Sequence, residues 1–156
     1  MDPKPNITEF KSPIPFEAHF TWSVGVLMEK FIEALGEKKL LASKCPGCGY
    51  VVVPPRNRCG KCCKEMGEDD LVELSGKATL AGWTVGRVRL DGAGGWEDLE
   101  VPEIIAAVKP EGADSTLYMP LGECGERDLS PGMALVLQWR GETTGEIADM
   151  AYFKPA

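Results

Sequence analysis

Apolar positions recur at helical spacing early in the chain and at strand spacing later, and a run of cysteines separates the two regimes. Val24, Leu27, Met28, Phe31, Ile32 and Leu35 fall at i, i+3, i+4, i+7, i+8 and i+11. That spacing predicts one amphipathic helix, with Glu29, Lys30, Glu33 and Glu37 on its wet side. Thr21 or Ser23 is placed to cap its start and Gly36 its end. From about Leu71 the runs shorten and fill with β-formers: "LVELSGKATLAGWTVGRVRL", "EIIAAVKP", "STLYMPLGEC", "MALVLQW" and "IADMAYFKP". Each is bounded by Gly, Pro or charged turns. Five or six such strands in roughly 85 residues predict a small closed barrel of the oligonucleotide/oligosaccharide-binding (OB) kind. Between two of them "DGAGGWEDL", Asp91 to Leu99, reads as a mobile loop. It lacks the ending and the strand–helix setting of a phosphate-binding loop.

Ahead of the helix, "DPKPNITEFKSPIPFEAHF" holds four prolines that block regular structure. Phe10, Ile14, Phe16 and Phe20 give it apolar handholds, so an extended arm lying on a surface is expected. His19, the chain's single histidine, has no local partner for acid–base work.

The chemistry concentrates between Lys44 and Cys63, in "KCPGCGYVVVPPRNRCGKCC", which holds five of the six cysteines. Cys45 and Cys48 form one C-x-x-C pair, Cys59 and Cys62 another. Gly49 and Gly60 ease the tight turns that such pairs need. Four thiolates in two knuckles suit one tetrahedral zinc, and a closed four-cysteine site leaves no position for water, so the metal is expected to be structural. Rubredoxin-type iron takes the same ligands, and a thioredoxin-like redox pair would need one such pair at a helix start. Cys63 directly follows a ligand and reads as a spare or alternative one. Lys44, Arg56, Arg58, Lys61 and Lys64 surround the site and either offset the charge of the zinc thiolates or meet phosphates. Cys124 has acidic neighbours, Glu123 and Glu126, which disfavour a reactive thiolate.

Composition narrows the function classes. The 156 residues carry a net charge of -7, which argues against a general nucleic-acid binder. No stretch approaches the roughly 18 apolar residues of a membrane helix, and "MDPKPNITEF" lacks a signal-peptide core. A cytoplasmic protein with reduced thiols is expected. The organisation reads as an arm and helix over residues 1–43, a zinc ribbon over 44–66 and a barrel over 67–156.

These features together carry a resemblance. The C-x-x-C-G knuckle, the "PPR" before the second knuckle, the "SGKATLAGWT" lead into the barrel and the closing "FKPA" resemble the acyl-CoA-associated proteins that pair a rubredoxin-like zinc ribbon with an OB-fold. The second knuckle departs from that pattern, with Cys63 where relatives more usually have glycine. The resemblance implies a mainly β fold with an N-terminal helix. It also implies a non-catalytic zinc-binding subunit that assists a large thiolase-like (acyltransferase) subunit, in a two-plus-two complex acting on an acyl-CoA such as benzoylsuccinyl-CoA, from toluene degradation. The contacts expected with partner or ligand are Phe16 and Phe20 of the arm, Val24, Leu27 and Phe31 of the helix face, and Arg56, Arg58 and Lys61 of the ribbon rim. Two other classes stay in view. Trp83, Trp96, Trp139 and Tyr118 are stacking platforms if the OB-fold binds single-stranded nucleic acid. Asp91, Glu97, Asp98 and Glu100 are paired carboxylates if the chain is itself an enzyme.

Overall fold

The computed structural model describes residues 22–92 and 94–156. The arm with Phe10, Ile14, Phe16, His19 and Phe20, and the candidate cap Thr21, lie outside the described residues.

The helix α1 (Val26–Gly36) forms where the apolar stripe predicts it, but starts later. Gly25, at φ 80°, is its N-cap, and no side chain caps it. Val24 therefore lies before the helix and is exposed. Leu27, Phe31, Ala34 and Leu35 are buried in the chain's own core. This corrects the expectation that Val24, Leu27 and Phe31 form one partner-binding face. The stripe is consumed internally, as apolar helix faces usually are. The C-terminal stop also differs. Lys38 takes the left-handed conformation at φ 59°, and the N–H groups of Lys38 and Lys39 return to the carbonyls of Leu35 and Ala34. That is a Schellman ending built on lysine. Gly36 serves packing instead, since a Cβ there would meet the Gly145 nitrogen at 3.2 Å.

Strand β1 (Leu40–Lys44) runs between β2 (Val51–Val52) and β3 (Leu71–Leu74), antiparallel to both. Five strands then close a barrel: β4 (Lys77–Leu90), β5 (Trp96–Pro110), β6 (Leu117–Leu121), β7 (Ala134–Trp139) and β8 (Met150–Pro155). Their order is β4-β5-β6-β8-β7, and β7 returns to pair with β4. The β6–β8 contact, Leu121 to Phe153, is parallel and the other pairings are antiparallel. This is the five-stranded Greek-key barrel of an OB-fold. Alternation puts Ala78, Leu80, Ala106, Val108, Leu135 and Phe153 inside. The same buried cluster takes in Phe31 and Leu35 of α1, Leu40, Ala42 and Val51 of the small sheet, and Val53 just beyond β2. One core therefore carries both the barrel and the base of the ribbon.

The segment read as a mobile loop joins two strands of a hairpin, and its second part, from Trp96 to Leu99, is itself strand. Val88 pairs with Asp98, Arg89 with Glu97 and Leu90 with Trp96. The glycines occupy only the turn. It is closed by the Asp91 N–H donating to the Gly95 carbonyl at 3.1 Å and the Gly95 N–H donating to Asp91 Oδ1 at 2.9 Å.

Candidate metal centre

The two knuckles are built alike. In the first, the Gly49 N–H donates to the Cys45 carbonyl at 2.9 Å, the Gly47 N–H points at Cys45 Sγ at 3.4 Å, and the Cys45 N–H donates to Tyr50. In the second, the Cys63 N–H donates to the Cys59 carbonyl at 3.0 Å, the Lys61 N–H points at Cys59 Sγ at 3.4 Å, and the Cys59 N–H donates to Lys64. Each turn needs a left-handed residue just after its second cysteine. Gly49 supplies it at φ 74° and Cys63 at φ 60°. The expectation that Gly60 relieves the second turn is therefore corrected, because the strained position is that of Cys63.

The knuckles bring Cys45, Cys48, Cys59 and Cys62 together, with all four sulfurs within 4.8 Å of one another. Cys45 and Cys62 sulfurs are 3.4 Å apart, Cys48 and Cys59 sulfurs 3.6 Å. A tetrahedron of thiolates at zinc bond length has edges of roughly 3.8 Å. The donor set and its spacing thus fit one structural zinc. Cys45 and Cys59 are buried, packed with Val52, Met66 and Tyr50, while Cys48 and Cys62 are exposed. Cys63 is exposed and is not one of the clustered four.

The proton affinities show why such a cluster calls for a cation. Burial opposes ionisation of Cys45, but the backbone N–H groups of Cys48 and Gly47 and the Cys62 thiol outweigh it and draw the pKa down to about 6. The N–H groups of Cys62 and Lys61 likewise lower Cys59. The Lys64 N–H favours the Cys62 thiolate, yet the neighbouring sulfurs of Cys45 and Cys48, together with burial, push it up to about 12. The first thiolates form readily and the last resists. A divalent ion removes that resistance by neutralising the mutual repulsion.

Two residues that the sequence reading passed over anchor this tip to the barrel. Asp114 accepts the Val51 N–H at 2.8 Å and returns its own N–H to the Val51 carbonyl at 2.9 Å. Ser115 Oγ accepts the Val53 N–H at 2.9 Å and donates to the Val53 carbonyl at 3.1 Å. They lie more than sixty residues from their partners, and "GADS" on its own reads as a turn. Buried Ser43 makes a similar tie, its Oγ accepting the Arg56 N–H at 3.0 Å.

The basic rim divides. Arg58 is engaged: it donates to the Cys63 carbonyl at 2.9 Å and pairs with Glu65 at 2.8 Å, bracing the second knuckle. The Arg56 and Lys61 side chains form no ion pair among the described residues. Arg56 lines a cavity of about 550 Å³ together with Val24, Leu27, Met28, Arg58 and Met66. The remaining candidates are scattered. Cys124 is half-buried against the barrel core, and burial, then the Asp128 charge, raises its pKa. Trp83 and Trp139 pack on the core, whereas Trp96 and Tyr118 are exposed. Glu97 pairs with Arg89 at 3.0 Å, and the carboxylates near it occupy the β4–β5 hairpin, away from the cysteines. Among the described residues no helix is long and apolar enough to cross a membrane.

Comparison with known proteins bears on the ribbon and on the fold. Residues 33–65 match the family model described as the ChsH2 rubredoxin-like zinc ribbon domain. No curated protein matches the chain. A solved chain from the Ltp2–ChsH2(DUF35) aldolase is similar at 21% identity and a TM-score of 0.58, with 81% of this chain and 91% of that one covered. A DUF35-family protein of unknown function from Sulfolobus solfataricus is also similar. It shows 21% identity and a TM-score of 0.63, covering 85% and 87% of the two chains. At these identities the likeness is one of fold.

Proposed function

We propose that the chain is a non-catalytic accessory subunit of an acyl-CoA-processing enzyme, with a structural zinc ribbon and an OB-fold that together hold a large catalytic subunit. The observation that carries this reading is the four-thiolate cluster. A metal held by four sulfurs has no open position for water or substrate. Nor do the described residues bring a nucleophile and a base together elsewhere: Cys124 sits beside Asp128, with its thiol held protonated. The ribbon match and the shared fold with a chain of an aldolase named for two proteins support an assisting role.

The finer reading is a thiolase-like partner in a two-plus-two complex, with benzoylsuccinyl-CoA as a candidate substrate. Arg56 is the side chain best placed to meet CoA phosphates, because its backbone is pinned by Ser43 while its guanidinium forms no ion pair among the described residues. Phe16 and Phe20 are proposed as arm contacts. The test is to co-purify the chain from its host, identify the catalytic subunit by mass spectrometry, and assay chain, partner and complex with acyl-CoA. The isolated chain is expected to show no thiolysis or condensation, and Arg56→Ala to raise the KM of the complex for the CoA substrate. Turnover by the isolated chain would overturn the accessory reading.

A further inference from the structure

The outer half of the β4–β5 hairpin serves neither the metal centre nor the barrel core. Strand β7 pairs with β4 only over residues 77–79, and β6 pairs with β5 only over residues 104–108. Beyond those stretches the two strands pair only with each other among the described residues. A lone two-stranded ribbon in water is marginal unless one face is covered.

Its two faces differ. The pairing of Val88 with Asp98 and of Leu90 with Trp96 puts Asp98 on the same side as three apolar residues, Val88, Leu90 and Trp96. They are 45%, 61% and 72% exposed. The other side carries the Arg89–Glu97 ion pair, and Arg87 beside it reaches Glu126 at 2.6 Å. The polar side is thus satisfied within the chain and tied to the loop after β6, while the apolar side faces out. The alternation of Arg87, Val88, Arg89 and Leu90 along β4 is what a strand carries when one face is meant to be buried. Val101, at 78% exposure, adds to the apolar surface from the irregular stretch after Asp98. Asp98, Glu100 and Glu103 line the same region and form no ion pair among the described residues.

We propose that this hairpin face is a docking element for the catalytic subunit, entering an apolar cleft whose rim carries Arg or Lys, with Trp96 as its anchor. The inference rests on the accessory-subunit reading above. Charge selects the occupant. A second copy would set the same carboxylates against themselves in a chain of net charge -7, and like charges across an interface suppress pairing. A basic-rimmed cleft satisfies the carboxylates and buries an aromatic anchor of the type that dominates interfaces.

The test uses the full chain and the catalytic subunit that co-purifies with it. In a Trp22→Phe background, the emission that is lost on adding Trp96→Phe, and so belongs to Trp96 rather than to Trp83 or Trp139, should move to the blue on complex formation. Trp96→Ala with Leu90→Ser should weaken binding on the order of 30-fold or more, the scale of a hot-spot residue. Asp98→Lys with Glu100→Lys should slow association and flatten its salt dependence. Arg89→Gln, on the satisfied face, should leave affinity within about twofold, as for a rim charge. If the wild-type chain binds and the apolar and charge variants bind equally well, the hairpin is not the docking element and the accessory role stands. If the wild-type chain does not bind, the accessory role fails and this inference with it. If the Trp96 variant instead abolishes self-association of the chain alone in light scattering, the occupant is a second copy and the proposal is overturned.

Discussion

In the barrel, Leu80, Val108, Leu135 and Phe153 sit at or near zero exposure within a cluster that also draws in α1 and the base of the ribbon. In the knuckle tip the buried cluster is Cys45, Val52, Cys59 and Met66, with Tyr50 against it. Two of those four are metal ligands. The barrel thus holds its shape by excluding water from many apolar side chains, each worth about 1.5–3 kcal/mol when fully buried. The tip has too few such groups and depends on bonds to an ion. The two regions meet at Val51 and Val53, which the barrel cluster includes and which Asp114 and Ser115 tie down. Losing the ion should therefore damage the chain from the tip inward and stop at those ties.

Chelation is the widest test of that contrast. Stripping the metal removes binding free energy on the order of 10 kcal/mol from a segment that has little else. Hydrogen exchange after treatment with a strong chelator should show amides of residues 45–50 and 57–66 losing protection, while those of β5, β6 and β8 keep it. Barrel amides that lose protection together with the knuckles would mean that the core also depends on the ion.

Single ligands come next. Cys59→Ser should leave well under one zinc per chain and loosen the tip, measured by metal analysis and exchange. Cys63 lies outside the sulfur cluster, so the Cys59→Ser protein should hold no more metal than one with Cys63→Ala added. Full metal content in Cys59→Ser that disappears in the double variant would show Cys63 standing in as a ligand.

On the barrel side the counterpart is Asp149, a buried carboxylate rather than a metal ligand. It accepts the N–H groups of Thr144, Gly145 and Glu146. The loop it organises packs on α1, where Thr143 donates to the Gly36 carbonyl at 2.7 Å. The hydrogen bond from the Glu146 N–H is the largest cause of its lowered pKa; burial opposes the shift, and Thr144, Gly145 and Arg140 reinforce it. A carboxyl whose folded pKa lies below its unfolded value of 3.8 stabilises the fold fully above that value. The contribution is lost as pH falls through the folded pKa. Asp149→Asn should lower the melting temperature at pH 7 by roughly 5 °C without changing metal content. The gap between variant and wild type should close as the pH drops below about 4. A gap that persists undiminished in acid would assign the effect to shape and not to charge.

How much of this the sequence discloses depends on the range of the interactions. The two C-x-x-C pairs are local signals, and a knuckle's hydrogen bonds close within five residues, so the ligand set is readable from spacing. The apolar stripe of α1 likewise reveals a helix, but not what covers it. Phe31 and Leu35 join a buried cluster whose other members lie mostly on strands that arrive later in the chain. The ties from Asp114 and Ser115 to Val51 and Val53, and from Thr143 to the Gly36 carbonyl at the end of α1, join positions that only the folded chain brings together. The hairpin tip was obscured by its glycines, which mark a turn of a few residues but read as a longer loop. Its strand register emerges only when Val88, Leu90 and Trp96 are set against their partners.

The smallest expected effect is the sharpest comparison, because it lies between two turns of the same design. Gly49 and Cys63 occupy equivalent left-handed positions, each donating its N–H to the first cysteine of its knuckle. A side chain in that conformation costs roughly 1–2 kcal/mol, and glycine returns about 0.5–1 kcal/mol of that as greater freedom in the unfolded chain. Cys63→Gly should thus stabilise the zinc-loaded protein by about 0.5–1 kcal/mol. Gly49→Ala should destabilise it by a similar amount, and a Cβ at Gly49 meets nothing within 4 Å, so the effect there is purely one of backbone conformation. Denaturant unfolding of the two single variants and the double variant would read both signs, and the double should fall close to wild type. If Cys63→Gly is instead destabilising, its thiol makes a favourable contact that outweighs the strain. The two knuckles would then differ in what their left-handed residue does, despite sharing one hydrogen-bond pattern.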